Sequence, residues 1–127
     1  MLKLVKFPIP QNERKEFALK YSETLIALLK KYLRHRLPQE WSYEIAYKPS
    51  QNQNSGEEKL TIKIATTTSE GEYSNVLELP FMVYIPNKVY VNIPSFSELE
   101  DILLKFIQTS VLESVRPIKP KEVLSKP

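Results

Sequence analysis

Lysine and tyrosine share one phase of several short alternating stretches in this chain. Lys48, Lys59, Lys63 and Lys88 sit at the polar positions of these stretches, and Tyr84 and Tyr90 fall in the same phase. Ammonium groups neutralise phosphate, and flat phenol rings stack unpaired bases at about 1–3 kcal/mol per base. A sheet face presenting both could hold a single strand of nucleic acid. A second cationic cluster, Lys30, Lys31, Arg34 and Arg36, ends a helical stretch. It could grip a phosphate backbone without reading sequence. Plainer readings stand beside these. A solvated antiparallel face is normally polar, and strand lysines discourage edge association. Basic residues at a helix C-terminus complement its dipole. The same sheet face could instead be a homodimer interface centred on Met82, Tyr84, Tyr90 and Ala46.

Other chemistry is thinly represented. Cysteine is absent, and there are one histidine and two glycines. Disulfides, thiol catalysis and cysteine–zinc sites are therefore excluded, while histidine-rich metal sites, catalytic triads and glycine-rich phosphate loops are nearly so. His35 lies in the basic run with no carboxylate or nucleophile placed beside it, and reads as a surface residue. Glu57 and Glu58 read as a solvated pair in a loop. Glu98, Glu100 and Asp101 could attract a divalent cation, but helix capping accounts for them. No catalytic, cofactor or metal residue is assigned, and the expectation is a binding protein rather than an enzyme.

The elements that must position these residues follow from periodicity. Leu2–Phe7 could add an edge strand before Pro8 and Pro10. Residues 12–36 repeat apolar positions at helical spacing through Phe17, Tyr21, Leu25, Leu28 and Tyr32, widened by Ala18, Leu29 and Leu33. Asn12 is the expected N-cap, and Pro38 stops the helix. Residues 41–48 alternate, with Trp41, Tyr43, Ile45 and Tyr47 on a core-facing side. Residues 59–67 alternate again through Leu60, Ile62 and Ile64. Polar loops are expected at 49–58 and 68–75. Residues 76–85 form a third strand with Leu77, Leu79, Phe81, Val83 and Ile85 inward and Met82 and Tyr84 outward. Pro80 there implies an edge or a bulge. Pro86-Asn87 reads as a turn into a fourth strand over 88–93, and Ser95 with Glu98 reads as a capping box for a helix fading near Val115. The expected fold is α+β: a two-layer sandwich with a mainly antiparallel four-stranded sheet, a fifth edge strand if the N-terminus joins, and two helices on one face. Residues 1–115 form one domain, and 116–127 a Pro/Lys-rich extended tail that could dock a protein partner.

The 127 residues carry a net charge of +3. Residues 1–48 hold ten Lys/Arg and five Asp/Glu (+5), residues 49–115 hold four and nine (−5), and residues 116–127 hold four and one (+3). Such asymmetry suggests a polyanionic or acidic partner. No apolar run reaches the ~18 residues of a membrane span. Met1–Pro10, with two lysines and two prolines, does not read as a signal peptide. A cytoplasmic location is expected.

The strand pair WSYEIAYK and KLTIKIATT, the basic helix end KKYLRHR and the tail RPIKPKEVLSKP give a layout that resembles the small single-stranded DNA-binding proteins of rod-shaped crenarchaeal viruses. Low glycine, absent cysteine and abundant charge fit a thermophilic origin. The resemblance implies a compact α+β body, homodimerisation, and sequence-independent binding of single strands in genome replication or repair, in the host cytoplasm if the protein is viral. It carries no site residue with it.

Overall fold

Five segments of alternating polarity pair into one antiparallel sheet, and two amphipathic segments form helices. In a computed structural model, which describes residues 4–7, 9–51, 55–85, 88–92 and 96–115, the elements run β1 (Leu4–Phe7), a short 3-10 helix (Gln11–Glu13), α1 (Arg14–Arg36), β2 (Ser42–Lys48), β3 (Gly56–Thr68), β4 (Gly71–Ile85), β5 (Lys88–Asn92) and α2 (Phe96–Val115). The sheet order is β1-β5-β4-β3-β2. The N-terminal segment thus supplies the fifth edge strand, Leu4 opposite Asn92 and Phe7 opposite Val89. The Pro86-Asn87 turn, the Ser95 cap and the 116–127 tail lie outside the described residues.

The helix α1 starts differently from expectation. Asn12 is not its cap. The chain enters through the 3-10 turn, where Glu13 N–H donates to Pro10 O at 2.9 Å, and Glu13 occupies the N-cap position without a side-chain bond. The turn itself takes up a donor that a cap would otherwise satisfy. Ala18, Ser22, Leu25, Leu29 and Leu33 form the buried line of α1, at spacings of four, three, four and four. Leu28 falls beside that line and is 43% exposed. The helix ends at Leu37, whose N–H donates to Leu33 O just before Pro38.

The central hairpin is longer than alternation alone suggests. Residues 68–75 are not a loop: β3 and β4 pair continuously out to Thr68 opposite Gly71. A two-residue turn, Ser69-Glu70, closes it. Thr68 Oγ1 accepts from Glu70 N–H at 3.1 Å and donates to Gly71 O at 2.7 Å. Gly71 has φ +118°.

At the other end of the hairpin the register slips. Lys59 pairs with Pro80 but Glu58 with Met82, which leaves Phe81 as the extra residue of a β-bulge. Pro80 therefore sits in a central strand because a bulge accommodates its missing N–H. Phe81 and Met82 are consecutive and both buried, at 1% and 0% exposure. Alternation restarts one residue out of phase. Met82 and Tyr84 join the core side, paired with Val91 and Val89, while Val83 pairs with Tyr90. This corrects the expected arrangement, in which Val83 faced inward and Met82 and Tyr84 outward.

One core joins Ala18, Leu25, Leu29 and Leu33 of α1, Leu99, Leu103, Phe106 and Ile107 of α2, and Leu60, Ile62, Ile64, Leu79, Phe81, Met82, Tyr84, Val89 and Val91 of the sheet. Tyr21 of α1 meets the Phe81 ring edge-on at 5.6 Å between centroids. Near the hairpin turn, Tyr73 donates to Glu113 Oε1 at 2.7 Å, and Asn75 Nδ2 donates to Ser110 Oγ at 3.0 Å, tying β4 to the end of α2. No helix among the described residues is long and apolar enough to cross a membrane.

A Cβ added at Gly71 would meet nothing within 4 Å, so only backbone strain opposes a side chain there. Gly71→Ala should lower stability by about 1 kcal/mol without altering the core, measurable as a reduced urea midpoint at unchanged slope.

Candidate nucleic-acid interface

The two surfaces singled out by sequence differ once the chain is folded. On the sheet, the residues of opposite phase to the core include Lys48, Lys59 and Lys63, but also Glu44, Glu57, Glu72 and Glu78. Lengthening β3 and β4 brings Glu57 and Glu72 into this layer. Glu44 lies opposite Lys63 in the ladder, and Lys59 Nζ is 3.0 Å from Glu78 Oε1. Among the residues whose side chains are described, three lysines stand with four glutamates, so this part of the face is mixed in charge. Tyr90 is half-buried beside Val83 in register, and Lys88 holds a ladder position opposite Ile85.

Tyr84 is not part of that layer. It is 3% exposed, and its hydroxyl donates to Glu58 Oε2 at 2.6 Å. Glu58 is itself 1% exposed, in a strand rather than a solvated loop. Its Oε1 accepts from Tyr47 at 2.5 Å and from Ser50 N–H at 3.2 Å. Arg14, also buried, places its guanidinium 5.9 Å from the centre of the Tyr84 ring. Three donors on one buried carboxylate offset the cost of removing it from water. Burial, with the Glu58 hydrogen bond and charge behind it, pushes the Tyr84 and Tyr47 hydroxyls well above the ordinary tyrosine range. The cluster cross-links β2, β3 and β4 beside the bulge. Tyr84 therefore holds the fold and has no ring face available for a base.

The helix end remains a cationic surface. Lys30, Lys31, Arg34 and Arg36 are all exposed, and among the described residues none of them is in an ion pair. The 3.6-residue period spreads them around the last turns of α1, and Pro38 fixes where those turns stop. Arg36 lays its guanidinium 5.7 Å from the centre of the Tyr32 ring. Nδ1–H of His35 donates to Lys31 O at 2.8 Å. Leu28, Lys31, Tyr32, His35, Arg36 and Glu100 line a groove of about 330 Å³. Burial raises the Tyr32 hydroxyl pKa; Arg36 opposes this, while Glu100 and Asp101 add to it. The acidic first turns of α2 thus border one side of the groove and leave the α1 side positive. No group of three metal-ligating side chains occurs among the described residues.

No family model, curated protein or solved structure matches this chain. The reading of its surfaces therefore rests on geometry and charge.

Of the ten residues singled out from sequence, Lys30, Lys31, Arg34 and Arg36 gather on one exposed helix end. Lys48, Lys59, Lys63 and Tyr90 share a sheet layer with compensating glutamates, and Lys88 opens β5 opposite Ile85. Tyr84 faces the core. Tyr32 was missed, because helical periodicity assigns it to the core stripe; its position four residues before Arg36 is the signal that could have placed it beside a guanidinium. Glu58 was missed because it follows a polar loop, although it continues the phase of Leu60, Ile62 and Ile64.

Tyr84→Phe should destabilise the fold by about 1.5–3 kcal/mol at neutral pH, since it removes a hydrogen bond to a buried charge. Both tyrosine pKa values are raised in the folded state, so this stabilisation is complete below pH ~10, the unfolded tyrosine value, and is lost as pH climbs through the higher folded values. Thermal melts above pH 10 should show a steep fall in Tm for the native chain and a shallower one for Tyr84→Phe.

Proposed function

We propose that this protein is a non-enzymatic, sequence-independent binder of single-stranded nucleic acid, acting in the cytoplasm, whose main contact is the cationic end of α1. The observation that carries this reading is the exposed set Lys30, Lys31, Arg34 and Arg36, without ion-pair partners among the described residues, of which Lys31 and Arg36 line a partly apolar groove. Such cations take phosphate through Coulomb attraction and counterion release, which is indifferent to base identity. The groove beside them favours single strands. Guanidinium planes and aromatic rings stack unpaired bases, and Arg36 over Tyr32 forms a paired platform of both kinds. Lys63 serves as a secondary contact, weakened by Glu44 opposite it in the ladder. The resemblance to small viral single-stranded DNA-binding proteins points to DNA as the substrate and to genome replication or repair as the setting.

A second reading, a protein-interaction module, draws on the mixed charge of the exposed sheet layer and on Val76, which is 52% exposed among those charges. Interfaces between proteins tolerate this mixture, whereas a phosphate track does not.

Fluorescence anisotropy with a labelled oligonucleotide decides between them. Binding at low salt should weaken as salt rises, with a slope of log K against log salt near −0.7 for each phosphate neutralised. The triple variant Lys31→Ala/Arg34→Ala/Arg36→Ala should flatten that slope by about 2 and reduce affinity at least tenfold, with its thermal transition nearly unchanged. Absence of binding by the native chain at low salt, or an unaltered slope in the triple variant, overturns the proposal.

A further inference from the structure

The strand β2 ends the sheet. It pairs with β3 on one side, and among the described residues its other side makes no backbone hydrogen bond to any element. Edge strands are usually blunted by proline, a bulge or shortness. Ser42–Lys48 has none of these and runs seven residues in unbroken register with β3; its one remaining guard is charge, Glu44 and Lys48, and that guard acts only against a partner strand that does not match it. Such an edge is a template for a further strand. We infer that β2 pairs antiparallel with β2 of a second copy of this chain, joining two five-stranded sheets about a two-fold axis centred on Ala46.

Charge selects that centre. Directly opposed residues must point to the same side of the joined sheet, so the axis has to pass through a single residue. Centred on Ala46, it sets Glu44 of each copy opposite Lys48 of the other, Ile45 opposite Tyr47, and the small Ala46 opposite itself. Centred on Glu44 it would oppose two carboxylates, and centred on Tyr47 it would set Glu44 opposite Ser50 and Lys48 opposite Ala46; the Ala46 ladder itself runs over residues 44–48 and stops before Pro49. Centred on Ile45 it would leave Glu44 opposite Ala46 and Lys48 opposite Ser42. Only the Ala46 centre satisfies both charges.

The two charges differ within one chain: Glu44 has Lys63 opposite it across the β2–β3 ladder, whereas Lys48 has no carboxylate opposite it there. Glu44 and Lys48 are exposed, and among the described residues neither is in an ion pair. Lys48 faces a like charge, Lys59, across the β2–β3 ladder, and Lys59 is held by Glu78 at 3.0 Å. Opposed like charges destabilise a strand pair. A carboxylate arriving on the open side of Lys48 relieves this, and the two-fold supplies it twice. The inferred pairing also replaces the sheet-face dimer expected from sequence, because Met82 and Tyr84, placed at the centre of that interface, are buried within one chain.

Light scattering coupled to size exclusion, run on the full chain across the micromolar range, tests the inference independently of nucleic acid. The native chain should show twice the mass of one chain. Glu44→Lys and Lys48→Glu should each weaken the dimer by roughly tenfold or more, because each replaces two attractive pairs by two repulsive ones. The double variant carrying both exchanges restores opposite charges across the axis and should dimerise like the native chain. Circular dichroism should show all variants folded. A native monomer at every concentration, single variants that dimerise as tightly as the native chain, or a double variant that stays monomeric each overturns the inference.

Discussion

A strand's two faces are fixed by alternation, and only an inserted residue can exchange them. In β4 that residue is Phe81. Pro80 cannot donate to the ladder, the register slips beside it, and two consecutive side chains, Phe81 and Met82, enter the core. Every residue downstream then changes sides. Met82 and Tyr84 meet Val91 and Val89 on the core side of β5, and the Tyr84 hydroxyl reaches Glu58. Without the slip, Glu58 would be a buried carboxylate lacking one of its phenol donors, and the aromatic ring beneath Arg14 would face water.

The same change of phase decides where function can reside. It withdraws an aromatic ring from the exposed layer of the sheet and leaves there an almost even mixture of ammonium and carboxylate groups. Exposed pairs such as Lys59–Glu78 contribute little to stability, at most about 1 kcal/mol. They nevertheless cancel the field that a polyanion would follow. The end of α1 keeps its field because its cations are exposed around the last turns and none of them is in an ion pair among the described residues, while Glu100 is the acidic residue that lines the groove beside Lys31 and Arg36.

Much of the architecture was legible from residues alone. The 3.6-residue recurrence through Ala18, Leu25, Leu29 and Leu33 and the two-residue recurrence through Leu60, Ile62 and Ile64 dictate the helix and strand they form. Pro80 announced a bulge or an edge, but which residue it would displace depended on how β4 met β3, a long-range matter that periodicity within one segment does not contain. The loop expected over 68–75 failed for a similar reason. Threonine, serine and glutamate there look like turn chemistry, yet the β-branched run Thr66–Thr68 and the positive φ of Gly71 extend the hairpin to its two-residue limit. The cationic helix end could be read directly, since a run of exposed charges before a proline needs no tertiary partner. The Tyr47–Glu58–Tyr84 cluster could not, because its members come from three strands.

The pairing of β1 with β5 has a consequence for the order in which the molecule assembles. Leu4 sits opposite Asn92, so β1 cannot close its ladder until β5, more than eighty residues further along the chain, is in place. Closing so long a loop early carries an entropic penalty that later closure, across an already formed β3–β4–β5 meander, largely avoids. The hairpin of β3 and β4, with its two-residue connection, is the pairing of least loop-closure cost, and the β1–β5 pairing is the one of greatest cost.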